Sequence, residues 1–206
     1  MAKTFIYKTV NQAHINELFK LEPLLQRYLN INTPITFRLM PDHYKCLIHS
    51  IISQQLNSAA VDAIWNKLVF SFKKLKPKIM QKATVEQLTG IGLTETKAKL
   101  IVKLTKDICN NILSLKKLEK KSNSEIIEIL TKYEGIGEWT VNMLLIFTYY
   151  RNDVLPTNDK GVRDGLDILY EGRAMSRDNF VNLHKFLGNH ATMFTICLWY
   201  IKNNHG

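Results

Sequence analysis

The sequence predicts an all-α protein, and three observations carry that class. Apolar residues recur at three- and four-residue spacing through most of the 206-residue chain. Capping-box spacings stand at the start of two of these stripes. No segment shows the two-residue alternation and regular turn spacing that a sheet requires. With 46% hydrophobic residues, the chain can bury one substantial core or two smaller ones.

Taken in order, residues 1 to 40 are expected to hold two short helices. Ile15, Leu18, Phe19 and Leu21 precede a break at Pro23, and Leu24, Leu25 and Leu29 follow it. Pro34 and Pro41 bracket a connector. From Tyr44, the stripe Leu47, Ile48, Ile51 and Ile52 defines a helix that runs to the polar break Ser53-Gln54-Gln55. Val61, Ile64, Trp65, Leu68 and Val69 mark the next. Lys73, Lys74, Lys76, Lys78 and Lys82 crowd a stretch around Pro77, read as a solvated connector with a phosphate contact as the alternative.

Thr84-Val85-Glu86-Gln87 opens a short helix that ends at Gly90 or Gly92. Another starts near Thr94, with Leu100, Ile101, Leu104, Ile108, Ile112 and Leu113 on its core side and Lys97, Lys99, Lys103 and Lys106 largely off it. Ser122-Asn123-Ser124-Glu125 opens the helix of Ile126, Ile127, Leu130 and Tyr133. After a glycine hairpin comes the helix of Val141, Leu144, Leu145 and Thr148, then a loop through Asp153 and Pro156. The helix at 161 to 170 carries Val162, Leu166 and Leu169, the following one Phe180, Leu183, Phe186 and Leu187, and the last runs from about 192 to 201.

The formal net charge of +10 points to an acidic partner, most simply a nucleic-acid backbone. Charge alone leaves RNA, ribosomes and anionic membranes open. The three cysteines, at 46, 109 and 197, form no Cys-x-x-Cys pair, which fits a reduced compartment without structural disulfides. No His, Cys and Asp grouping has zinc spacing, so no catalytic metal is expected. The N-terminal stretch has no signal-peptide pattern and the apolar runs are too short to span a bilayer, so a soluble, cytoplasmic protein without membrane association is expected.

The chemistry concentrates between Tyr133 and Asp159. Gly135 and Gly137 flank Ile136 in a tight turn between two helical patterns, where glycine allows positive φ and close approach of a phosphate. The helix that begins there offers unpaired amides and the positive end of its dipole to an anion. Asp159 stands at the start of the following helix.

Gly135-Ile136-Gly137-Glu138-Trp139-Thr140, followed at this separation by Asp153-Val154-Leu155-Pro156-Thr157-Asn158-Asp159, resembles the helix-hairpin-helix DNA glycosylase superfamily, in its DNA-3-methyladenine glycosylase II or AlkA-type branch. The likeness extends upstream to Ile52-Ser53-Gln54-Gln55 and Gly92-Leu93-Thr94-Glu95-Thr96-Lys97-Ala98, covering roughly residues 42 to 170.

The resemblance implies two helical subdomains, a central bundle at 42–158 and a second made of 1–41 with 159–206, with a DNA-binding cleft between them. It implies a monomer acting on double-stranded DNA with damaged bases. It implies a monofunctional enzyme that excises alkylated purines such as 3-methyladenine and leaves an abasic site. A non-catalytic DNA-binding module and a glycosylase for a neutral lesion such as hypoxanthine or uracil are the alternatives. Some members hold an iron–sulfur centre on four clustered cysteines, which this chain lacks. No cofactor is expected beyond a possible structural monovalent cation held by hairpin carbonyls.

Residue by residue, the resemblance assigns Asp159 as the catalytic carboxylate, with helix capping as the bland alternative. Asp153, Asp164 and Asp167 are its competitors. Trp139 stands where members that also cleave the backbone carry a nucleophilic lysine. Its indole can instead face a cationic flipped base, or it can simply pack. Met143, one turn on, stands where relatives carry an aromatic, and 188 to 193 lacks a Trp-x-Pro-x-Arg pattern, so base preference stays open. Gln55 and its neighbour Leu56 are assigned as the wedge that fills the vacancy left by an extruded base, against a plain polar helix end. Gly135, Ile136, Gly137 and Thr140 are assigned to phosphate. Trp65 and Trp199 are read as core, and His43 and His49 as the histidines nearest the wedge.

Overall fold

A computed structural model describes residues 5–30, 32, 34–172 and 176–206. It is mostly helical, as the periodicity predicts, and it forms two units: Met40–Tyr149, and Phe5–Leu39 together with Tyr150–Gly206.

The chain begins with strand β1 (Ile6–Thr9), helix α1 (Gln12–Leu21), a 3₁₀ turn (Pro23–Arg27) and strand β2 (Thr36–Leu39). The strands pair antiparallel, with Ile6 opposite Leu39 and Thr9 opposite Thr36, an addition to the all-helical expectation. Each is four residues long and all of β1 is exposed, so neither carries an alternation that a sequence could display. Pro23 breaks the helical pattern as expected, but the segment after it folds as the 3₁₀ turn, whose entry Glu22 caps by accepting from the Leu24 amide.

The first unit holds α2 (His43–Ser53), α3 (Ser58–Phe72), α4 (Pro77–Met80), α5 (Val85–Gly90), α6 (Glu95–Cys109), α7 (Leu115–Leu118), α8 (Asn123–Leu130) and α9 (Glu138–Phe147). Both capping boxes form, on Thr84 with Gln87 and on Ser122 with Glu125. Helices α2 and α9 pack together at its centre. Seven residues of each are buried, and in α9 this leaves little amphipathic contrast. Hydrogen bonds from Thr148 Oγ1 to the Met40 carbonyl (2.6 Å) and from Tyr149 Oη to the Leu115 carbonyl (2.6 Å) close the unit at its C-terminal end.

The second unit adds α10 (Lys160–Leu169), α11 (Arg177–Leu187), a 3₁₀ turn (Gly188–His190) and α12 (Ala191–His205). Its core joins Leu18 and Leu25 from the N-terminal segment to Val162, Leu166, Phe194, Leu198 and Ile201. Helices α10 and α12 approach so closely that a Cβ on Gly165 would lie 2.5 Å from the Leu198 carbonyl oxygen. The loop at 150 to 159 belongs to this unit rather than to the first bundle, whose expected end is at 158. The Thr192 amide donates to the Asn152 carbonyl, Thr192 Oγ1 accepts from the Val154 amide, and Thr195 Oγ1 donates to the Val154 carbonyl, binding the loop to α12. Among the described residues, no helix is long and apolar enough to cross a membrane.

Candidate functional site

In the first unit, α8 leads through a turn into α9. Gly135 has φ +90°, a left-handed conformation, and a Cβ there would meet Leu100 Cδ2 at 3.2 Å. Gly137 is different: it is the N-cap of α9 in extended conformation, and a Cβ on it would meet nothing within 4 Å. No side chain caps α9. The amides of Gly135, Gly137 and Glu138 donate to no acceptor among the described residues, and all three residues are exposed. The turn therefore presents outward donors at the positive end of a helix.

Two of the residues assigned to phosphate depart from that expectation. Ile136 is buried, and its amide donates to the Tyr133 carbonyl at 2.9 Å. Thr140 is 1% exposed, its amide donates to the Gly137 carbonyl, and its hydroxyl accepts from Gln54 Nε2 at 2.8 Å. Both brace the turn from within. Of the hairpin carbonyls offered to a monovalent cation, that of Gly135 accepts from Gln54 Nε2 at 2.9 Å and that of Gly137 from the Thr140 and Val141 amides.

The earlier Gly90-Ile91-Gly92 turn, between α5 and α6, looks similar in sequence and differs in its donors. The Gly92 and Leu93 amides donate to the Thr89 and Leu88 carbonyls, and Thr94 caps α6 by accepting from the Lys97 amide. The Gly92, Leu93 and Lys97 amides are thus bonded within the fold, and no acceptor stands among the described residues for those of Thr94 and Glu95.

Residues 54 to 57 link α2 to α3. Gln54 turns inward to the hairpin. Gln55 is exposed with φ +58°, and its side chain makes no hydrogen bond among the described residues; Leu56 is 40% exposed. A polar and an apolar side chain are thus exposed side by side on a short turn.

In the second unit, Asp159 is the N-cap of α10 and the only buried carboxylate among the described residues, 9% exposed. Its Oδ1 accepts from the Val162 amide at 2.8 Å and from Trp199 Nε1 at 2.8 Å. Capping therefore occurs, and the same bonds fix the carboxylate's direction. The competitors are placed otherwise. Asp164 pairs with Lys160 on the surface of α10, Asp167 is exposed on the same helix, and Asp153 is exposed with its carbonyl 2.7 Å from His184 Nε2.

Trp139 is half-buried on the first turn of α9 and Met143 is buried one turn later. His43 Nε2 lies 3.8 Å from Glu119 Oε2, and the His49 ring meets Trp65, which is core as expected, edge-on at 5.0 Å. Trp199, expected in the core, is instead half-buried, and its indole donates to Asp159. Gly161 makes this possible, since a Cβ there would stand 2.9 Å from Trp199 Cδ1 and 3.1 Å from its Nε1. The signal was present as Gly161 and Gly165, four apart on one amphipathic helix, which mark a close helix approach.

A glycine turn with outward amides between two helices, in a protein of two helical units, defines the helix-hairpin-helix class. The HhH-GPD superfamily base excision DNA repair protein family matches residues 48–180, and the chain belongs to it. It is 31% identical over 166 residues to DNA-3-methyladenine glycosylase 1 of Schizosaccharomyces pombe, covering 77% of this chain and 70% of that protein. It is 32% identical over 138 residues to an alkylbase DNA glycosidase-like protein of the same yeast, covering 64% and 65%. The chain thus spans about two thirds of the length of these relatives. Among solved structures, the 3-methyladenine DNA glycosylase of S. pombe in complex with abasic DNA is similar with a TM-score of 0.67 and 28% identity, covering 93% of this chain and 94% of that one. A DNA-3-methyladenine glycosidase from Bacillus halodurans shares the fold, with a TM-score of 0.78, 24% identity and coverage of 97% and 93%.

Proposed function

We propose that this protein is a monofunctional DNA glycosylase of base excision repair, which extrudes alkylated purines such as 3-methyladenine from duplex DNA and hydrolyses the N-glycosidic bond to leave an abasic site. The observation that carries this reading is Asp159: a buried carboxylate aimed by two donors at 2.8 Å, in a member of a base excision repair family whose named relatives act on 3-methyladenine.

The chemistry needs little more than that carboxylate. A purine alkylated at N3 or N7 carries positive charge and departs neutral with the bonding electrons, so it requires no acid. Charge then develops on the deoxyribose. A carboxylate held in a fixed direction stabilises that charge and orients the water that adds to the sugar carbon, whose proton the carboxylate can accept. Trp139 and Met143 are assigned to the base, with the indole face offered to the cationic purine. Position 139 holds no amine, so no Schiff base forms there and the backbone is left intact. The amides of Gly135 and Gly137 hold a phosphate, and Gln55 with Leu56 fills the vacated stack.

The test is Asp159→Asn. Asparagine keeps an Oδ1 acceptor for both donors, so α10 remains capped. Base release should fall about 100-fold or more while binding to lesion DNA persists. Undiminished release by this variant would sink the assignment of Asp159, and absence of release by the parent protein would favour a non-catalytic DNA-binding module.

A further inference from the structure

Helix α2 ends at Ser53, and the carbonyls of its last turn need partners. A side chain from another helix supplies them. Lys97 Nζ donates to the Ile52 carbonyl at 3.0 Å and to the Gln54 carbonyl at 2.7 Å. Lys97 is half-buried at the third position of α6, where Thr94 caps the helix through the Lys97 amide, and burial lowers its pKa from the ordinary lysine value. Immediately beyond stands Gln55 at φ +58°, a costly conformation for a residue with a Cβ. The Leu56 amide closes the turn by donating to the Ser53 carbonyl at 3.3 Å. Gln54 in turn donates to the Gly135 carbonyl and to Thr140 Oγ1 of the hairpin.

These bonds form one chain from α6 through the 54–56 turn to the hairpin. A cation at the C-terminus of a helix is favourable in itself, but a surface lysine would provide that effect without burial. Here the ammonium clamps the two carbonyls that flank the turn's entry, and so sets the direction in which Gln55 and Leu56 leave the protein.

We propose that Lys97 is a positioning residue for base extrusion: it fixes residues 54 to 56, which Gln54 couples to the hairpin, so that the wedge side chains are preorganised when the duplex is gripped. The inference rests on the glycosylase reading for its consequence and on this unit's geometry for its cause, so the two are tested separately.

Lys97→Met keeps the aliphatic stem and removes the donor. Amide hydrogen exchange on the free protein reads the cause. The Gln54 and Leu56 amides should exchange about tenfold faster or more, while the Ile48 and Ile51 amides in the body of α2 are unchanged. Lys97→Arg, which retains two donors, should restore protection. Equal exchange in Lys97→Met and the parent protein would overturn the proposal. Single-turnover excision reads the consequence. Lys97→Met should lose about tenfold on a lesion paired within a duplex and less than about threefold when the same lesion faces a one-nucleotide gap, where extrusion is easy. An equal loss on both substrates would mean a general structural defect and would also overturn it. If the parent protein releases no base from either substrate, the glycosylase reading fails, while the exchange result still decides whether Lys97 holds the turn.

Discussion

Replacing Gly161 with alanine should separate Trp199 from Asp159. The added Cβ would stand 2.9 Å from Trp199 Cδ1, 3.1 Å from Trp199 Nε1 and 3.2 Å from Asp159 Oδ1. Carbon atoms settle at about 3.5 to 4 Å, so the indole must retreat by roughly 0.5 to 1 Å. A bond of 2.8 Å so displaced leaves hydrogen-bonding range or loses its alignment. A hydrogen bond to a charged group contributes about 1.5 to 3 kcal/mol, and alanine returns up to about 1 kcal/mol of helix propensity. The net loss of stability is then about 0.5 to 2 kcal/mol, a fall in melting temperature of a few degrees for a chain of this size.

Excision should suffer more, because misplacing a reacting group by about 1 Å can cost about 100-fold. Single-turnover release of 3-methyladenine from a duplex, alongside thermal unfolding and duplex binding, reads all three quantities. Trp199→Phe removes the donor without adding bulk and should slow release about tenfold or more. The double variant Gly161→Ala/Trp199→Phe should be no slower than Trp199→Phe alone, since both changes break the same bond. Additive losses in the double variant, or full activity of Trp199→Phe, would refute the idea that the indole aims the carboxylate.

Three further outcomes are expected. Gly137→Val should weaken binding to damaged and undamaged duplexes by similar factors, as phosphate contacts do, with no more than about 1 kcal/mol lost from stability because the site is open and its φ is ordinary; loss confined to damaged DNA would contradict the phosphate assignment. Incubation with lesion DNA and borohydride should trap no covalent adduct, and strand breaks should appear only after alkali or heat. In matched duplexes, 3-methyladenine or 7-methylguanine should leave faster than hypoxanthine, which needs protonation first; equal rates, or neutral-lesion release that falls with a histidine-like ionisation, would reveal a general acid.

Local signals in the sequence carried most of the helical fold. Capping boxes at Thr84 and Ser122 form where their spacing predicts them, because a cap is decided within four residues. The β1–β2 pair escaped because each strand is only four residues long, too short for alternation to show, and its register depends on Ile6 meeting Leu39. The site was legible to the same extent. Asp159 as a helix start could be read, since the helix stripe begins just after it. Its second donor could not, because Trp199 lies 40 residues away on another helix. Lys97 was likewise invisible as a clamp: its partners are 43 and 45 residues distant, and a lysine off the apolar stripe looks solvated.

The two glycine turns show how far the distinction could have been drawn from residues alone. Both read Gly-Ile-Gly, yet one is followed after a single residue by threonine and the other directly by Glu138 and Trp139. Thr94 is a strong N-cap residue, and its hydroxyl satisfies the Lys97 amide, one of the orphan donors of α6. Gly137 has no side chain with which to do so, and no neighbour substitutes for it. The fold does not require glycine there for space or for φ, as it does at Gly135. An uncapped, exposed helix start with room in front of it carries a standing cost in unpaired donors, which an anion from outside relieves. The side-chain cap at Thr94 and its absence at Gly137 agree with the resemblance, which assigns the phosphate to the second turn.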